Sequence, residues 1–329
     1  MTLSDAIQQA PGRIKASVRL DANESPFNSP DNRYPDEEVL SLRQKWGRHE
    51  RIPAHCIYFC NGTEEAVDFC MRVYALPCRD SVASVSPTRG IYKRRAAANR
   101  LEYREVALDD DGFSLNAEKL LDSVSATTKI IFLCSPNNPT GNLFGADEVE
   151  KVVCRFNGMV VVDESYIDYV PQATLLNLLN TYRNLIILRS FSHAWALAGI
   201  RLAAVVAHPE VISNFERIGF THPVGSPVMR YAVQMVSRRL DVDKWVRRTI
   251  EERAKVVAAL RELPECEEVY PSVANFVLVR FTDAQVVYKY LLKQNIAVKP
   301  VHGALRITIG LPAENSALLG ALRRRNRRP

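Results

Sequence analysis

The 329-residue sequence contains no apolar run approaching the roughly 20 residues that a membrane-spanning helix needs. The opening stretch, MTLSDAIQQAPGRIKASVRL, contains no apolar segment typical of a secretory leader. Internal repeats and low-complexity linkers are also missing. We therefore expect a globular protein of the cytoplasm that has no membrane partner.

A disulfide framework and a metal site are also not indicated. The seven cysteines are odd in number and scattered through apolar segments, which favours buried free thiols of a reducing compartment. Cys56 and Cys60 lack the paired spacing and partner cluster of a zinc site, so we expect no metal.

Part of the net charge of +6 lies in the C-terminal segment ALRRRNRRP. No aromatic residues alternate with these arginines, as they do in many nucleic-acid-binding surfaces. A solvated helix end favoured by the helix dipole explains the segment, and we expect no nucleic-acid partner, although nucleic-acid binding is the open alternative.

Short β-branched segments alternate with helical segments over residues 56–208, which predicts an α/β fold with a mostly parallel sheet sandwiched by helices. The predicted strands are 56–60, 81–86, 129–135, 159–165, 184–190 and 202–208, and two of the intervening helices are 64–76 and 146–156. After residue 223 the pattern predicts a smaller α+β domain, with a long amphipathic helix at about 228–262 and another helix at 283–294. We predict a large domain at 36–227 and a small domain made of 1–35 plus 228–329.

Polar residues follow several of these strands, where ligands of open α/β sheets bind. Asn61-Gly62-Thr63 leads from a strand into a helix, which suits an anion such as a phosphate but equally suits an ordinary turn. In SPNNPTG (135–141) two asparagines precede Pro139, and their side-chain amides could bond a ligand. Asp163 ends a hydrophobic strand, where a carboxylate needs a partner. One candidate partner is the protonated nitrogen of a bound ring, and Tyr166 would then hydrogen-bond the oxygen of that ring. The alternatives are that Asp163 forms a salt bridge with Arg201 or that it caps the N-terminus of a helix.

Eight segments, in this order along the chain, resemble the fold type I pyridoxal phosphate enzymes, and most closely the histidinol-phosphate aminotransferases. They are RLDANESPF (19–27), RYPD (33–36), NGTEEA (61–66), SPTRGIY (86–92), SPNNPTG (135–141), VVVDESYID (160–168), SFSHAWALAGIRL (190–202) and ALRITIG (304–310). The resemblance covers nearly the whole chain and implies the aspartate aminotransferase-like fold.

The resemblance also implies roles for individual residues around pyridoxal phosphate. Asp163 pairs with the ring nitrogen, so that the ring can accept electrons, and Arg306 holds the substrate's anionic group by a bidentate fork. Asn23 lies over the substrate, and the cofactor's ring oxygen is bonded by Asn138 and Tyr166. The cofactor phosphate is held by Gly62, Thr63 and the backbone of Glu64, helped by Ser190, Ser192 and Arg201. Tyr34 also reaches this phosphate, from the partner subunit of a homodimer with a shared active site.

Three positions depart from the family pattern on the reactive face. His193 stands where the family has the lysine that bonds the cofactor covalently and moves the substrate proton. Arg89 replaces the tyrosine that stacks on the ring, and Ala203 replaces a glycine. An imidazole cannot form the covalent bond, so the cofactor is expected to bind noncovalently, while His193 can still act as a general base because histidine titrates near ~6.5. Arg89 either stacks over the ring or contacts the substrate anion, or it swings to solvent.

The function implied by the resemblance is transamination between histidinol phosphate and glutamate, with 2-oxoglutarate and imidazole acetol phosphate as the keto partners. Its catalytic residues are His193, Asp163 and Tyr166, and its activity is weakened by the missing lysine. Two alternatives stay open: a related decarboxylase of phosphorylated amino acids, and a pseudoenzyme that holds the cofactor without turnover.

Overall fold

A computed structural model of the protein describes residues 18–110 and 112–326. Seven strands form the larger sheet: β1 (Ile57–Cys60), β2 (Ser81–Ser86), β3 (Glu102–Ala107), β4 (Thr128–Cys134), β5 (Met159–Asp163), β6 (Leu185–Ser190) and β7 (Ala203–Ala207). Their order across the sheet is β1-β7-β6-β5-β4-β2-β3. The run from β3 through β6 is parallel, and only β7 pairs antiparallel with its neighbours.

Within residues 18–110 and 112–326, ten α-helices connect and cover the strands. They are α1 (Asp36–Glu50), α2 (Thr63–Tyr74), α3 (Ile91–Ala98), α4 (Ala117–Ser123), α5 (Ala146–Arg155), α6 (Pro209–Ile218), α7 (Ser226–Ser237), α8 (Arg239–Arg261), α9 (Ala284–Lys293) and α10 (Pro312–Asn326). Five short 3-10 turns lie at Ala54–Cys56, Ile167–Tyr169, Pro171–Ala173, Leu176–Asn180 and Ala198–Ile200. None of the helices in the described part of the chain combines the length and apolarity that a membrane span requires.

The core of the larger sheet is buried on both faces. Every residue of β6 and β7 is buried, as expected for central strands with helices on either side. Trp46 from α1 packs against Phe59 of β1 and against Phe191, with ring centroids 6.0 Å and 5.5 Å apart. This packing fixes the strand ends from which the site residues project.

Four further strands, β8 (Cys266–Val269), β9 (Phe276–Phe281), β10 (Lys299–Val301) and β11 (Ala304–Thr308), form a second, antiparallel sheet. Their order across this sheet is β10-β11-β9-β8. It has its own hydrophobic core, which includes Leu260, Val279 and Leu305. Two cores agree with two domains, but the boundary at residue 227 stays a prediction.

The predicted mostly parallel sheet with a smaller α+β unit is confirmed, and four details were wrong. Strand β3 was missed because it is an edge strand rich in charge, and β8 was missed because its sequence CEEV lacks a β-branched run. The helix predicted at 228–262 is two helices, because the chain leaves helical geometry at Arg238. The cysteines carry no disulfide, but Cys78 and Cys154 are exposed rather than buried.

Candidate active site

The site lies at the carboxyl ends of β2, β4, β5 and β6. These strands run parallel, so the segments that follow them meet at one edge of the sheet. Arg89 follows β2, Asn138 follows β4, Asp163 ends β5, and His193 follows β6.

Asp163 is completely buried and has four hydrogen-bond donors. Its Oδ1 accepts the backbone N–H of Ser165 at 3.1 Å and the Ser165 hydroxyl at 2.5 Å. Its Oδ2 accepts the Tyr92 hydroxyl at 3.1 Å and Nη1 of Arg89, with which it forms an ion pair. The carboxylate is therefore satisfied by the protein's own groups.

Arg89 takes a position that none of the three interpretations from the sequence foresaw. Besides Asp163, its Nη1 donates to the Ser165 hydroxyl at 3.0 Å and its Nη2 to the Thr63 hydroxyl at 3.2 Å. The side chain is 15% exposed, so it does not swing to solvent. Burial is the largest single influence on the pKa of Arg89 and lowers it, but the effects of Asp163, followed by those of Tyr92, Tyr166 and Cys134, together more than offset burial and raise the pKa. The alternative that Asp163 pairs with Arg201 was wrong, because its cationic partner is Arg89.

A chain of hydrogen bonds links strand β11 of the second sheet to the loops that follow β4 and β5 of the larger sheet. Nη1 of Arg306 donates to Oδ1 of Asn138 at 2.6 Å, and Nδ2 of Asn138 donates to the Tyr166 hydroxyl at 2.6 Å. The Arg306 guanidinium also lies 5.3 Å from the centre of the Phe276 ring. Burial raises the pKa of Tyr166, so its hydroxyl keeps its proton at neutral pH.

His193 stacks on Tyr166, with ring centroids 4.5 Å apart and the planes inclined by 21°. Burial, followed by the cationic side chains of Arg89, Arg306 and Arg201, lowers the pKa of His193 to about 4, and Asp163 opposes this only in part. The imidazole is thus neutral at physiological pH. The sequence-based expectation of a pKa near ~6.5 was wrong, because it took no account of three arginines and burial.

This low pKa predicts a pH dependence of stability. A histidine with a depressed pKa in the folded state contributes its full stability above its unfolded pKa, and that stability is lost as the pH falls toward the folded pKa. Between pH 7.5 and pH 5 we expect the free energy of unfolding to fall by about 2 kcal/mol more in the parent protein than in His193→Gln. Urea unfolding at the two pH values measures the difference.

The matched control for this experiment is His55→Gln, since the His55 side chain is exposed. It is expected to show the parent's pH dependence. Equal losses in the parent and in His193→Gln would contradict a strongly depressed pKa at position 193.

The beginning of α2 forms a cup beside the Arg201 guanidinium. Gly62 has a φ of +85°, and a Cβ added there would lie only 2.7 Å from Nη2 of Arg201. Glycine is therefore required at this close approach. Thr63 and Ser190 are buried beside the cup, and the Ser190 hydroxyl accepts the backbone N–H of Ser192 at 3.1 Å.

The roles of Glu64, Asn23 and Tyr34 stay predictions, and their side chains are placed as follows within this chain. The Glu64 side chain pairs with Arg94 at 3.2 Å, so only its backbone can serve the cup. Asn23 is exposed and has a left-handed backbone with a φ of 54°. Tyr34 is half exposed and stacks on His222 at 4.4 Å.

Sequence reasoning missed several groups that position the site. Tyr92 and Ser165 complete the shell of Asp163, and their presence in SPTRGIY and DESY was the available signal. Asn137 is not free for a ligand, because its Nδ2 donates to the Pro87 carbonyl and to Thr140, both at 2.8 Å. It holds the loop that presents Asn138.

A buried ion network fixes the end of β5 from behind. Glu164, next to Asp163, accepts Nη1 of Arg189 at 2.9 Å, and Nη2 of Arg189 donates to Glu50 at 2.5 Å. Burial raises the pKa of Glu164, against the opposing effect of Arg189. The network ties α1, β5 and β6 together under the site.

The contacts of these residues test whether pyridoxal phosphate fits here. The cup formed by Gly62, Thr63 and Arg201 suits its phosphate, because a Cβ at Gly62 would fill it. The Asn138–Tyr166 pair offers donors for its ring oxygen. The residues therefore fit these two ends of the cofactor, whereas Asp163 is already engaged by Arg89.

Comparisons with known proteins agree with this geometry. The sequence model of the family described as aminotransferase class I and II matches residues 3–322. The histidinol-phosphate aminotransferase of Bacteroides fragilis is 41% identical over 316 residues, which cover 94% of this chain and 91% of that protein.

Two solved structures share the fold. The histidinol-phosphate aminotransferase from Clostridium acetobutylicum superposes with a TM-score of 0.83 at 18% identity, over 90% of this chain and 91% of that one. The corresponding protein from Sinorhizobium meliloti, in complex with pyridoxal-5'-phosphate, has a TM-score of 0.82 at 22% identity, over 93% of this chain and 89% of that one. At these identities the likeness establishes the fold alone.

Proposed function

The chain belongs to the aminotransferase class I and II family, whose members use pyridoxal phosphate on small amino and keto compounds, and from this premise we propose that its substrates are histidinol phosphate and 2-oxoglutarate. The amino group of histidinol phosphate passes to 2-oxoglutarate, which gives imidazole acetol phosphate and glutamate. The name of the 41% identical relative supports this assignment. The observation that carries it is the hydrogen-bonded chain from Arg306 through Asn138 to Tyr166, which links a substrate anion site to the ring-oxygen site.

Each part of the site has a distinct task in this proposal. When bound, pyridoxal phosphate supplies a ring that accepts electrons from the substrate carbon. Gly62, whose own N–H donates to the Cys60 carbonyl at 2.9 Å, leaves room for the cofactor's phosphate. The backbone N–H groups of Thr63 and Glu64, with Arg201, Ser190 and Ser192, bind that phosphate at the positive end of α2. The hydroxyl of Tyr166 and the amide of Asn138 orient the ring oxygen, and Arg306 binds the anionic group of the substrate.

His193 stands in place of the family's lysine, which has two functions: it bonds the cofactor covalently and it moves the substrate proton. Its imidazole cannot hold the cofactor covalently, so binding rests on the noncovalent contacts. Its Nδ1 or Nε2 can accept the substrate proton because the ring is neutral, but a base with a pKa of about 4 gives little driving force at pH 7. Slow transamination follows.

Noncovalent binding predicts the result of borohydride reduction. After incubation with pyridoxal phosphate and reduction, the peptide that contains His193 is expected to keep its unmodified mass, because no amine stands at that position. Mass spectrometry of the digested protein measures this, with His193→Lys as the matched control that gains the cofactor's mass. A reduced adduct on another lysine that lines the same pocket would contradict the proposal.

The activity itself is tested by incubating the protein with pyridoxal phosphate, histidinol phosphate and 2-oxoglutarate and following glutamate. Slow glutamate formation that depends on all three supports the proposal. Carbon dioxide release from a phosphorylated amino acid would indicate the decarboxylase instead. Binding without any turnover would indicate the pseudoenzyme, which the low pKa of His193 favours as the second candidate.

The proposal includes the assembly and the compartment. Tyr34 is half exposed, and in a homodimer with a shared active site it would reach the phosphate cup of the partner subunit. A biosynthetic enzyme of this family acts in the cytoplasm. Sedimentation of the purified protein tests the dimer.

A further inference from the structure

The contacts of Asp163 set a condition on ligand binding that the family resemblance does not contain. Both carboxylate oxygens are engaged, and Oδ2 is shared by Tyr92 and Arg89. A protonated ring nitrogen needs the same carboxylate. Asp163 is completely buried, whereas the Arg89 side chain that holds Oδ2 is 15% exposed, so a ring nitrogen that pairs with this carboxylate has to take the place of Arg89.

Arg89 is well anchored in this place. Its guanidinium spans from Asp163 and Ser165 to Thr63 at the edge of the phosphate cup. A guanidinium is planar and permanently charged, so it can replace a flat cationic ring both in shape and in charge. The buried carboxylate is therefore neutralised without any ligand.

We propose that Arg89 is a built-in cation that competes with the cofactor's ring nitrogen for Asp163, and that it determines which phosphate esters the site retains. The inference rests on the proposed function. Pyridoxal phosphate and pyridoxamine phosphate must displace Arg89 from Asp163, whereas a phosphate ester without a cationic ring can occupy the cup of Gly62, Thr63 and Arg201 while the ion pair stays closed. The site therefore binds the family's cofactor less tightly than phosphate esters that carry no ring or only an uncharged ring.

A purely structural ion pair is the competing explanation, and it predicts different binding. If Arg89 only stabilised the fold, its replacement would change the affinities for all phosphate ligands in the same direction, through the shape of the cup. If Arg89 competes for Asp163, its replacement would strengthen binding only for ligands with a cationic ring. The affinity for inorganic phosphate would not increase, because replacing Arg89 removes the attraction of a nearby positive charge.

The experiment is equilibrium dialysis of the parent, Arg89→Tyr and Arg89→Lys against two probes, pyridoxamine 5'-phosphate and inorganic phosphate. Pyridoxamine phosphate has no aldehyde and so cannot react with surface lysines. We expect Arg89→Tyr to bind it about tenfold more tightly or better, equivalent to about 1.4 kcal/mol, with no gain for phosphate. Arg89→Lys keeps the cation and is expected to behave like the parent. Arg89→Gln keeps amide donors near Ser165 and Thr63 and is expected to show the same gain in affinity for pyridoxamine phosphate as Arg89→Tyr. It replaces Arg89→Tyr in the experiment if the tyrosine variant does not fold.

The outcomes separate this inference from the proposed function. Equal affinities of the parent and the folded Arg89→Tyr and Arg89→Gln variants for pyridoxamine phosphate would overturn the competition by Arg89 but leave the proposed function standing. Equal gains for pyridoxamine phosphate and for inorganic phosphate would also overturn it, in favour of a reshaped cup. No binding of pyridoxamine phosphate by any variant would overturn the proposed function, and the inference with it.

Discussion

Asp163→Asn is expected to lower the free energy of unfolding of the cofactor-free protein by about 3 kcal/mol, because it leaves the guanidinium of Arg89 in the pocket without its counter-ion. A loss of this size lowers the melting temperature by an amount on the order of 5 °C. Thermal unfolding followed by circular dichroism measures it. The side chain keeps nearly the same volume, so packing does not account for the loss.

Asp109→Asn is the matched control. Asp109 pairs with Lys119 at 3.0 Å, and both side chains are more than one-third exposed, so its loss should cost far less stability than the loss of Asp163. A double-mutant cycle then identifies the partner of Asp163. We expect a large coupling energy with Arg89→Gln and almost none with Arg201→Gln. Strong coupling to Arg201 would contradict the ion pair described above.

The combination His193→Lys with Arg89→Tyr is expected to raise transamination at least about 100-fold over the parent, in line with what a positioned general base contributes. The amine returns at position 193, and Asp163 becomes available to the ring nitrogen. Burial and the neighbouring Arg306 favour the neutral amine of the new lysine. Steady-state formation of glutamate from histidinol phosphate and 2-oxoglutarate measures the gain.

The single variants divide this effect into its parts. His193→Lys alone should acquire a borohydride-stable cofactor adduct but only a modest gain in turnover, because Arg89 still holds Asp163. Arg89→Tyr alone should bind the cofactor more tightly and stay slow. A single His193→Lys variant as active as the double variant would show that Arg89 does not hinder the site.

The sequence predicted the sheet because its strands follow from local pattern, whereas the roles of most site residues were implied by the family resemblance and stay predictions. Strands such as β4 and β5 are continuous apolar runs, and the residues after them must meet at one edge. The edge strand β3 was missed for the opposite reason: its residues are mostly exposed and charged, so it lacks the apolar pattern.

The ion pair of Arg89 and Asp163 could not be predicted with the same certainty. The two residues lie 74 positions apart, and β4 lies between their strands. The order of the strands places Arg89 and Asp163 at the same edge of the sheet. Which of several arginines reaches the carboxylate depends on side-chain conformations. The low pKa of His193 has the same origin, because burial and the charges of Arg89, Arg306 and Arg201 act together only in the folded chain.

A crystal structure of the parent protein grown with saturating pyridoxal phosphate tests the central claim most directly. The account predicts the phosphate in the cup of Gly62, Thr63 and Arg201, no covalent link to His193, and Arg89 displaced from Asp163 by the ring nitrogen. A bound cofactor whose ring lies beside an unbroken Arg89–Asp163 pair would contradict it.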